Sequence, residues 1–260
     1  METGNPYDPP HSELLHPGQD EGPAGVPLVP WEDRARYPGF AARVLETMKL
    51  VFRPAAAGPS LGLHPRLAPA ITYFACVGLP LVWAMQFMVA LVGPQDGNAA
   101  LLEFVGLPHQ APPPEMAQFQ RTLQVGMAFF FPLTMAIGMA VIGFVSHGGL
   151  WLVRALKPGR GLAATFRTLL YGYGTFNAIL WIFNGWILVP MPAGLILLGL
   201  SGLLSLAFFI QAGVLLARAH GTELWRGVTG LLLPWVVLVC CCGGSLFAMG
   251  GLAAFAARAR

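Results

Sequence analysis

Most of this chain is built from long apolar runs separated by short polar connections. No Asp, Glu, Lys or Arg occurs in residues 67–95, 122–153, 168–217 or 227–257. Each run exceeds the ~20 apolar residues that a helix needs to cross ~30 Å of hydrocarbon. The pattern therefore predicts an all-α, polytopic membrane bundle. A single helix over residues 168–217 would be ~75 Å long, more than twice the hydrocarbon thickness, so that run must fold back. Val189-Pro190-Met191-Pro192 marks the place, because two prolines one residue apart remove backbone donors and disfavour helix before them. Five transmembrane helices follow, at about 69–92, 124–153, 169–189, 193–217 and 228–255. A four-span alternative makes the last segment re-entrant.

The pattern changes ahead of the first span. Residues 1–30 are rich in Pro, Gly and acids and predict a disordered cytoplasmic tail. No short apolar core precedes the first span, so this is not a signal peptide. Residues 31–66 form a cytoplasmic arm that contains an amphipathic helix at 38–53. Phe40, Ala41, Val44, Leu45, Met48, Val51 and Phe52 share one face of it, and Arg43, Glu46, Lys49 and Arg53 cover the other. Leu50 alone is out of place. Pro38-Gly39 and Pro54 bound the helix. Two compatible placements are open: flat on the membrane, with the basic residues among anionic headgroups, or packed beneath the membrane domain. Phe40, Arg43, Val44, Met48, Lys49, Phe52 and Arg53 are the predicted membrane-surface residues.

Composition agrees with a membrane class. Mean hydropathy is +0.62 and 10% of residues are charged, against ~25% in an ordinary soluble domain. The net charge of +3 comes from basic residues flanking spans, with no interleaved aromatic patch, which argues against nucleic-acid binding. Lys and Arg concentrate before the first span, between spans two and three (Arg154, Lys157, Arg160, Arg167) and between spans four and five (Arg218, Arg226). By the positive-inside rule the N-terminus is cytoplasmic and the C-terminus outside. Arg258 and Arg260 run against this orientation and fit the re-entrant alternative.

Several short words sit within this layout. Pro30-Trp31-Glu32-Asp33-Arg34 precedes the amphipathic helix. Leu170-Tyr171-Gly172-Tyr173-Gly174 opens span three, followed by Trp181, Gly185 and the Pro190 break. Over residues 30–257 the arrangement resembles the YIP family of Ypt/Rab-interacting membrane proteins, and its bacterial members most closely. The acidic Asp-Leu-x-Gly-Pro word of eukaryotic members is replaced here by Arg66-Leu67-Ala68-Pro69. The Tyr-Gly-Tyr-Ser word reads Tyr171-Gly172-Tyr173-Gly174, with Phe176-Asn177 where a proline usually follows. The resemblance implies a non-catalytic membrane adaptor or organiser. In eukaryotes such proteins engage prenylated small GTPases, a role the missing acidic word places in question. High Ala, Gly, Pro and Arg usage points towards a bacterial cytoplasmic membrane.

Candidate chemistry is sparse. No phosphate-cradling loop, nucleophile elbow or zinc-protease helix is present, so no catalytic residue, cofactor or metal is expected. Cys240, Cys241 and Cys242 are consecutive and diverge around a helix, whereas a structural zinc site needs converging ligands. Polar span residues are few. His147 lies near the end of span two and reads as a boundary or packing histidine. Asn177 and Asn184 are seven apart and share a face of span three, which could bond a neighbouring helix or line a small polar cavity. Tyr171, Gly172 and Tyr173 are expected to organise the bundle. Small residues four apart, such as Gly213/Ala217 and Ser201/Ser205, suggest close helix packing or a homo-oligomer face. Trp31, Glu32, Asp33 and Arg34 are the predicted contacts for an unidentified cytoplasmic protein. The leading expectation is a scaffold that recruits this partner or shapes the lipid bilayer. The alternative is a small permease or lipid-handling protein with a polar cavity around span three.

Overall fold

The computed structural model describes residues 25–64, 66–92, 106, 113–189 and 193–237. Among the described residues the regular structure is helical. Helix α1 (Phe40–Val51) and α2 (Pro54–Gly62) form the arm. They are followed by α3 (Ala68–Val92), α4 (Pro114–Phe129), α5 (Phe131–Leu152), α6 (Leu162–Leu180) and α7 (Ala193–His220). Helix α8 spans Leu224–Val237. Among the described residues three helices, α3, α5 and α7, are long and apolar enough to cross a membrane.

The ends of these helices follow from named residues. Pro54 closes α1 and opens α2, the first helical position being where a missing N–H costs nothing. The expected second span, 124–153, is broken at Phe130 into α4 and α5. Pro132 lacks the N–H that would bond the Ala128 carbonyl. That carbonyl is instead taken by the indole N–H of Trp83, at 2.9 Å. Arg121 donates to the Leu91 carbonyl at 3.0 Å, satisfying one of the acceptors left open at the end of α3. Gly221, at φ +62°, terminates α7, and the Thr222 N–H returns to the Ala217 carbonyl at 2.9 Å, the closure expected of a left-handed C-terminal residue.

The expected third span is corrected most. Its helix starts earlier, at Leu162, admits Arg167, and passes into a 3-10 segment at Trp181–Leu188. It is not among the helices of membrane-crossing length and apolarity. Asn184 lies in the 3-10 segment; its side chain, the prolines at 190 and 192, most of the predicted tail, the end of the fifth span and Cys240–Cys242 fall outside the described residues.

Helix α6 is the centre of the bundle. Its residues Arg167–Gly172 and Gly174–Phe176 are all buried, and it packs against α1, α2, α3, α5 and α7. Close approach is set by small residues. A Cβ on Gly78 would lie 2.5 Å from the Gly174 Cα, so α3 and α6 meet backbone to backbone. The Gly213/Ala217 face meets α8: a Cβ on Gly213 would fall 2.7 Å from the Val228 Cα. This pair is therefore used within the chain. Gly149 of α5 faces Gly230 of α8, where a Cβ would come within 1.9 Å of the Gly230 carbonyl oxygen. Lipid-soluble helices gain no hydrophobic drive from one another in hydrocarbon, so such backbone contact supplies their cohesion.

Adjacent glycines in α5 separate packing from helix propensity. Gly149→Ala should cost about 1–3 kcal/mol, as overpacked sites do. Gly148→Ala, which meets nothing within 4 Å, should be neutral or stabilising. Thermal unfolding in detergent of the two variants checks this.

Candidate functional site

The arm is folded into the bundle by a short turn. The N–H groups of Glu32 and Asp33 both return to the Val29 carbonyl, at 2.8 and 3.2 Å. The Asp33 carboxylate accepts the Arg36 N–H at 2.9 Å. This turn aims Trp31 and Glu32 inward and leaves Arg34 exposed.

Trp31 is buried. Its indole N–H donates to the Thr72 hydroxyl at 3.2 Å, and its ring meets Tyr73 edge-on at 5.4 Å and Phe40 at 5.6 Å. The Arg43 guanidinium lies 5.1 Å from the Trp31 ring centre, within cation–π range. Glu32 pairs with Arg167 and accepts the Tyr171 hydroxyl at 2.5 Å. Arg167 also donates to the Arg66 carbonyl at 2.7 Å. The Arg167 side chain is 0% exposed and that of Glu32 only 9%. Tyr73 and Tyr171 lie 5.1 Å apart, and the Tyr73 hydroxyl bonds Thr175 at 2.9 Å. The result is one polar cluster, walled by aromatic rings, that ties the arm to α3 and α6.

His64 adjoins the cluster. Its Nε2 has no hydrogen-bond partner. Burial holds its pKa below the usual histidine value, and the Arg167 charge pushes in the same direction while Glu32 opposes it. The imidazole is therefore neutral at pH 7.

The four residues expected to meet a partner are thus divided. Trp31 and Glu32 are committed to their own chain, Asp33 closes the turn, and only Arg34 faces outward. The physical reason is the buried Arg167 charge, which needs a carboxylate. Sequence reasoning placed Arg167 in a loop and missed it as a partner for Glu32; it also passed over His64, Tyr73 and Thr175. The available signal was a lone cation at the mouth of a 50-residue uncharged run, joined to a helix rather than to a loop.

Helix α1 packs on the bundle along one side and leaves its other side exposed. Thr47 and Val51 are buried, and Val44, Met48 and Leu50 are half-buried. Phe40, Leu45 and Phe52 remain exposed. Lys49 pairs with Glu46 at 2.6 Å on the outer side, and Arg53 is exposed beside it. The Gln211 amide of α7 donates to the Val51 carbonyl at 3.2 Å, while the Phe52 ring lies 6.2 Å from Phe176 and 6.0 Å from Phe208.

Below this contact is a cavity of about 300 Å³, lined on α6 by Tyr173, Phe176, Asn177 and Leu180 and on α7 by Ser201, Ser205, Phe208 and Phe209. The Asn177 Nδ2 is buried and has no hydrogen-bond partner. Tyr171 and Gly172 point elsewhere, into the core. A third polar group joins three helices: Thr165 Oγ1 lies 2.9 Å from His147 Nδ1 and 2.9 Å from His220 Nε2. His147 thus serves helix packing. Among the described residues no group of three or more His, Cys, Asp or Glu converges as metal ligands would.

No protein-family model matches the chain, and no curated protein or solved structure shows significant similarity to it.

Two predictions follow from the cluster. Glu32→Gln leaves Arg167 buried without its counter-charge and should cost about 3–5 kcal/mol; Tyr171→Phe should cost less, about 1–3 kcal/mol. Equilibrium unfolding in mild detergent ranks them. His64 binds its proton more weakly folded than unfolded, so its contribution is intact above the unfolded value near 6.5 and is lost as pH falls below it. His64→Gln should reduce the drop in unfolding midpoint between pH 7 and pH 5.

Proposed function

We propose that the protein is a non-catalytic membrane scaffold or adaptor of the YIP type. It crosses a bacterial cytoplasmic membrane five times, with its arm on the cytoplasmic side and its C-terminus outside. The supporting observation is the position of α1 at the boundary between two kinds of surface on α7. Ile196, Leu200, Leu203, Leu206 and Ile210 are exposed, whereas Ala212, Gly213, Leu215, Leu216, Ala217, Ala219 and His220 are buried. Residues 193–210 span ~27 Å as a helix, close to the ~30 Å of hydrocarbon. The membrane surface then falls near Gln211, the residue that bonds α1. Lys49 and Arg53 lie at headgroup level on this reading, with Phe40, Leu45 and Phe52 dipping into the interface.

Of the two remaining crossings that this reading needs, the fifth would require residues beyond Val237, where the described part of α8 ends, and the third would be made by α6 with the 3-10 segment. Helix α6 contributes ~28 Å and the 3-10 segment about 16 Å more, so residues 162–188 together reach across a bilayer. Lining the third crossing with buried contacts rather than lipid explains why it carries Arg167 near one end. Thr165, two residues before Arg167, lies 2.9 Å from His220, and His220 is nine residues beyond Gln211, so on this reading the Glu32–Arg167 pair sits on the cytoplasmic side of that surface, outside the hydrocarbon. Partner recruitment would then use Arg34, the exposed face of α1 and the basic connections.

The cavity between α6 and α7 favours a second reading, a small permease or lipid-handling protein. Its polar lining contains no acid or base, which disfavours ion coupling.

The scaffold reading makes a specific demand. Lys49→Glu with Arg53→Glu should lower recovery of a cross-linked cytoplasmic partner at least fivefold, and Asn177→Leu should not. Arg43 is left intact because it stacks on Trp31. Unchanged recovery and unchanged phenotype in the double variant would remove the scaffold reading.

A further inference from the structure

We propose that the cavity between α6 and α7 is a binding site for the glycerol-ester region of a bilayer lipid. Its ester or hydroxyl oxygen would accept the Asn177 amide N–H, and the Tyr173, Ser201 and Ser205 hydroxyls would bond the remaining oxygens. This rests on the lipid-handling reading and names the ligand class for that site.

Four observations lead here. First, the Asn177 Nδ2 is buried without an acceptor. A buried donor left unmade costs ~1–3 kcal/mol, and in hydrocarbon no water is at hand to relieve it. The Nδ2 itself is closed off from the cavity, so the Asn177 side chain would have to turn to bring this donor to an acceptor oxygen. Second, every polar group in the lining is neutral: one amide, one phenol and two hydroxyls. A phosphate or carboxylate seated here would be desolvated with no counter-charge, so the recognised group is uncharged. Third, the cavity measures about 300 Å³, whereas a water molecule occupies ~30 Å³ of liquid. It has room for a glycerol and its ester groups and not for a whole lipid, so the acyl chains must leave it. Fourth, the way out is apolar and open. Ser205 is exposed, and Leu198, two turns before it on the same face of α7, is 36% exposed. The chains would run along this face among the bulk lipid tails. At the other end the stacked Phe176 and Phe208 rings, 4.5 Å apart, close the cavity beneath Phe52 of the interfacial helix.

The cavity's position fits this ligand. Ser205 lies six residues below Gln211 and Ser201 ten, which is ~9 and ~15 Å along the helix axis. Ester groups ordinarily sit nearer the surface, so the bound lipid would enter from the open side at Ser205 and sit deeper than its neighbours. That displacement is compensated by hydrogen bonds the hydrocarbon cannot offer.

Photolabelling of the full chain in lipid nanodiscs tests the proposal. Three probes carry the same diazirine on a C16 chain: a diacylglycerol, a phosphatidylglycerol and a plain alkane. The diacylglycerol should label the segments 173–180 and 201–209 at least fivefold above the alkane, and Asn177→Leu should bring it down to the alkane level without lowering the unfolding midpoint. Equal labelling by phosphatidylglycerol would assign recognition to the shared glycerol esters of ordinary phospholipid; preference for diacylglycerol would assign it to an uncharged lipid. Should Asn177→Leu not fold, Ser201→Ala with Ser205→Ala serves in its place, with the same expected loss. Labelling of these segments by the alkane as strong as by the lipids, or labelling untouched by either variant, overturns the site. Ester-dependent labelling that maps elsewhere overturns this site while leaving lipid handling standing. No ester-dependent labelling anywhere removes both.

Discussion

The burial of Arg167 constrains the rest of this structure. A guanidinium removed from water is costly, and only a close carboxylate with further hydrogen bonds offsets that cost. Here the carboxylate comes from Glu32, 135 positions earlier in the chain. The Arg66 carbonyl accepts a second guanidinium N–H and the Tyr171 hydroxyl donates to Glu32, while the Arg167 Nε has no hydrogen-bond partner. Satisfying one charge therefore fixes the arm, the connection between α2 and α3, and the start of α6 relative to one another. Trp31 follows from the same placement: with Glu32 held inside, its neighbour is carried onto Tyr73 and Thr72.

The second constraint is distance between backbones. Helix α6 can be surrounded by other helices only if its neighbours come close, and Gly78 against Gly174 allows this on the α3 side. Gly149 and Gly230 do the same between α5 and α8. Polar side chains then add direction to contacts that packing alone would leave free to slide. Thr165 bridges His147 and His220 from three different helices, and Tyr73 reaches Thr175 across the α3–α6 seam. Hydrogen bonds of this kind contribute modestly, ~0.6–2 kcal/mol each. Their value lies in selecting one rotation of each helix.

What the sequence disclosed divides along physical lines. Helical class, three of the long apolar helices and the amphipathic character of α1 depend on periodicity and on local breakers such as Pro54, and these were legible. The break between α4 and α5 was encoded by Pro132, yet an unbroken apolar run concealed it. The start of α6 was misplaced because a charged residue reads as the end of a span, and Arg167 is instead accepted in the helix by a distant acid. Trp31 and Glu32 read as partner contacts because they sit in a short word ahead of the amphipathic helix; nothing local indicates that a turn at Val29 points them inward. The cavity around Asn177 was anticipated as one of two outcomes for that face. Its other wall includes Ser201 and Ser205, whose four-residue spacing reads equally as a helix-packing or an oligomer face.

The docked arm changes how an adaptor built on this fold would operate. A loosely tethered arm could search for partners with its aromatic and acidic residues. This arm cannot, since releasing Trp31 and Glu32 would leave Arg167 charged and unpaired inside the bundle, a state costing several kcal/mol. On the adaptor reading, recognition must therefore occur with the arm in place, through what it leaves outside: Arg34 and the outer side of α1. The same arm also touches the wall of the cavity. Val51 bonds Gln211 and Phe52 rests on Phe176 and Phe208, the rings that also close the Asn177 cavity. Any movement of α6 against α7 that widened that cavity would have to displace the end of α1. The cavity and α1 therefore share one set of contacts, the Phe52, Phe176 and Phe208 rings.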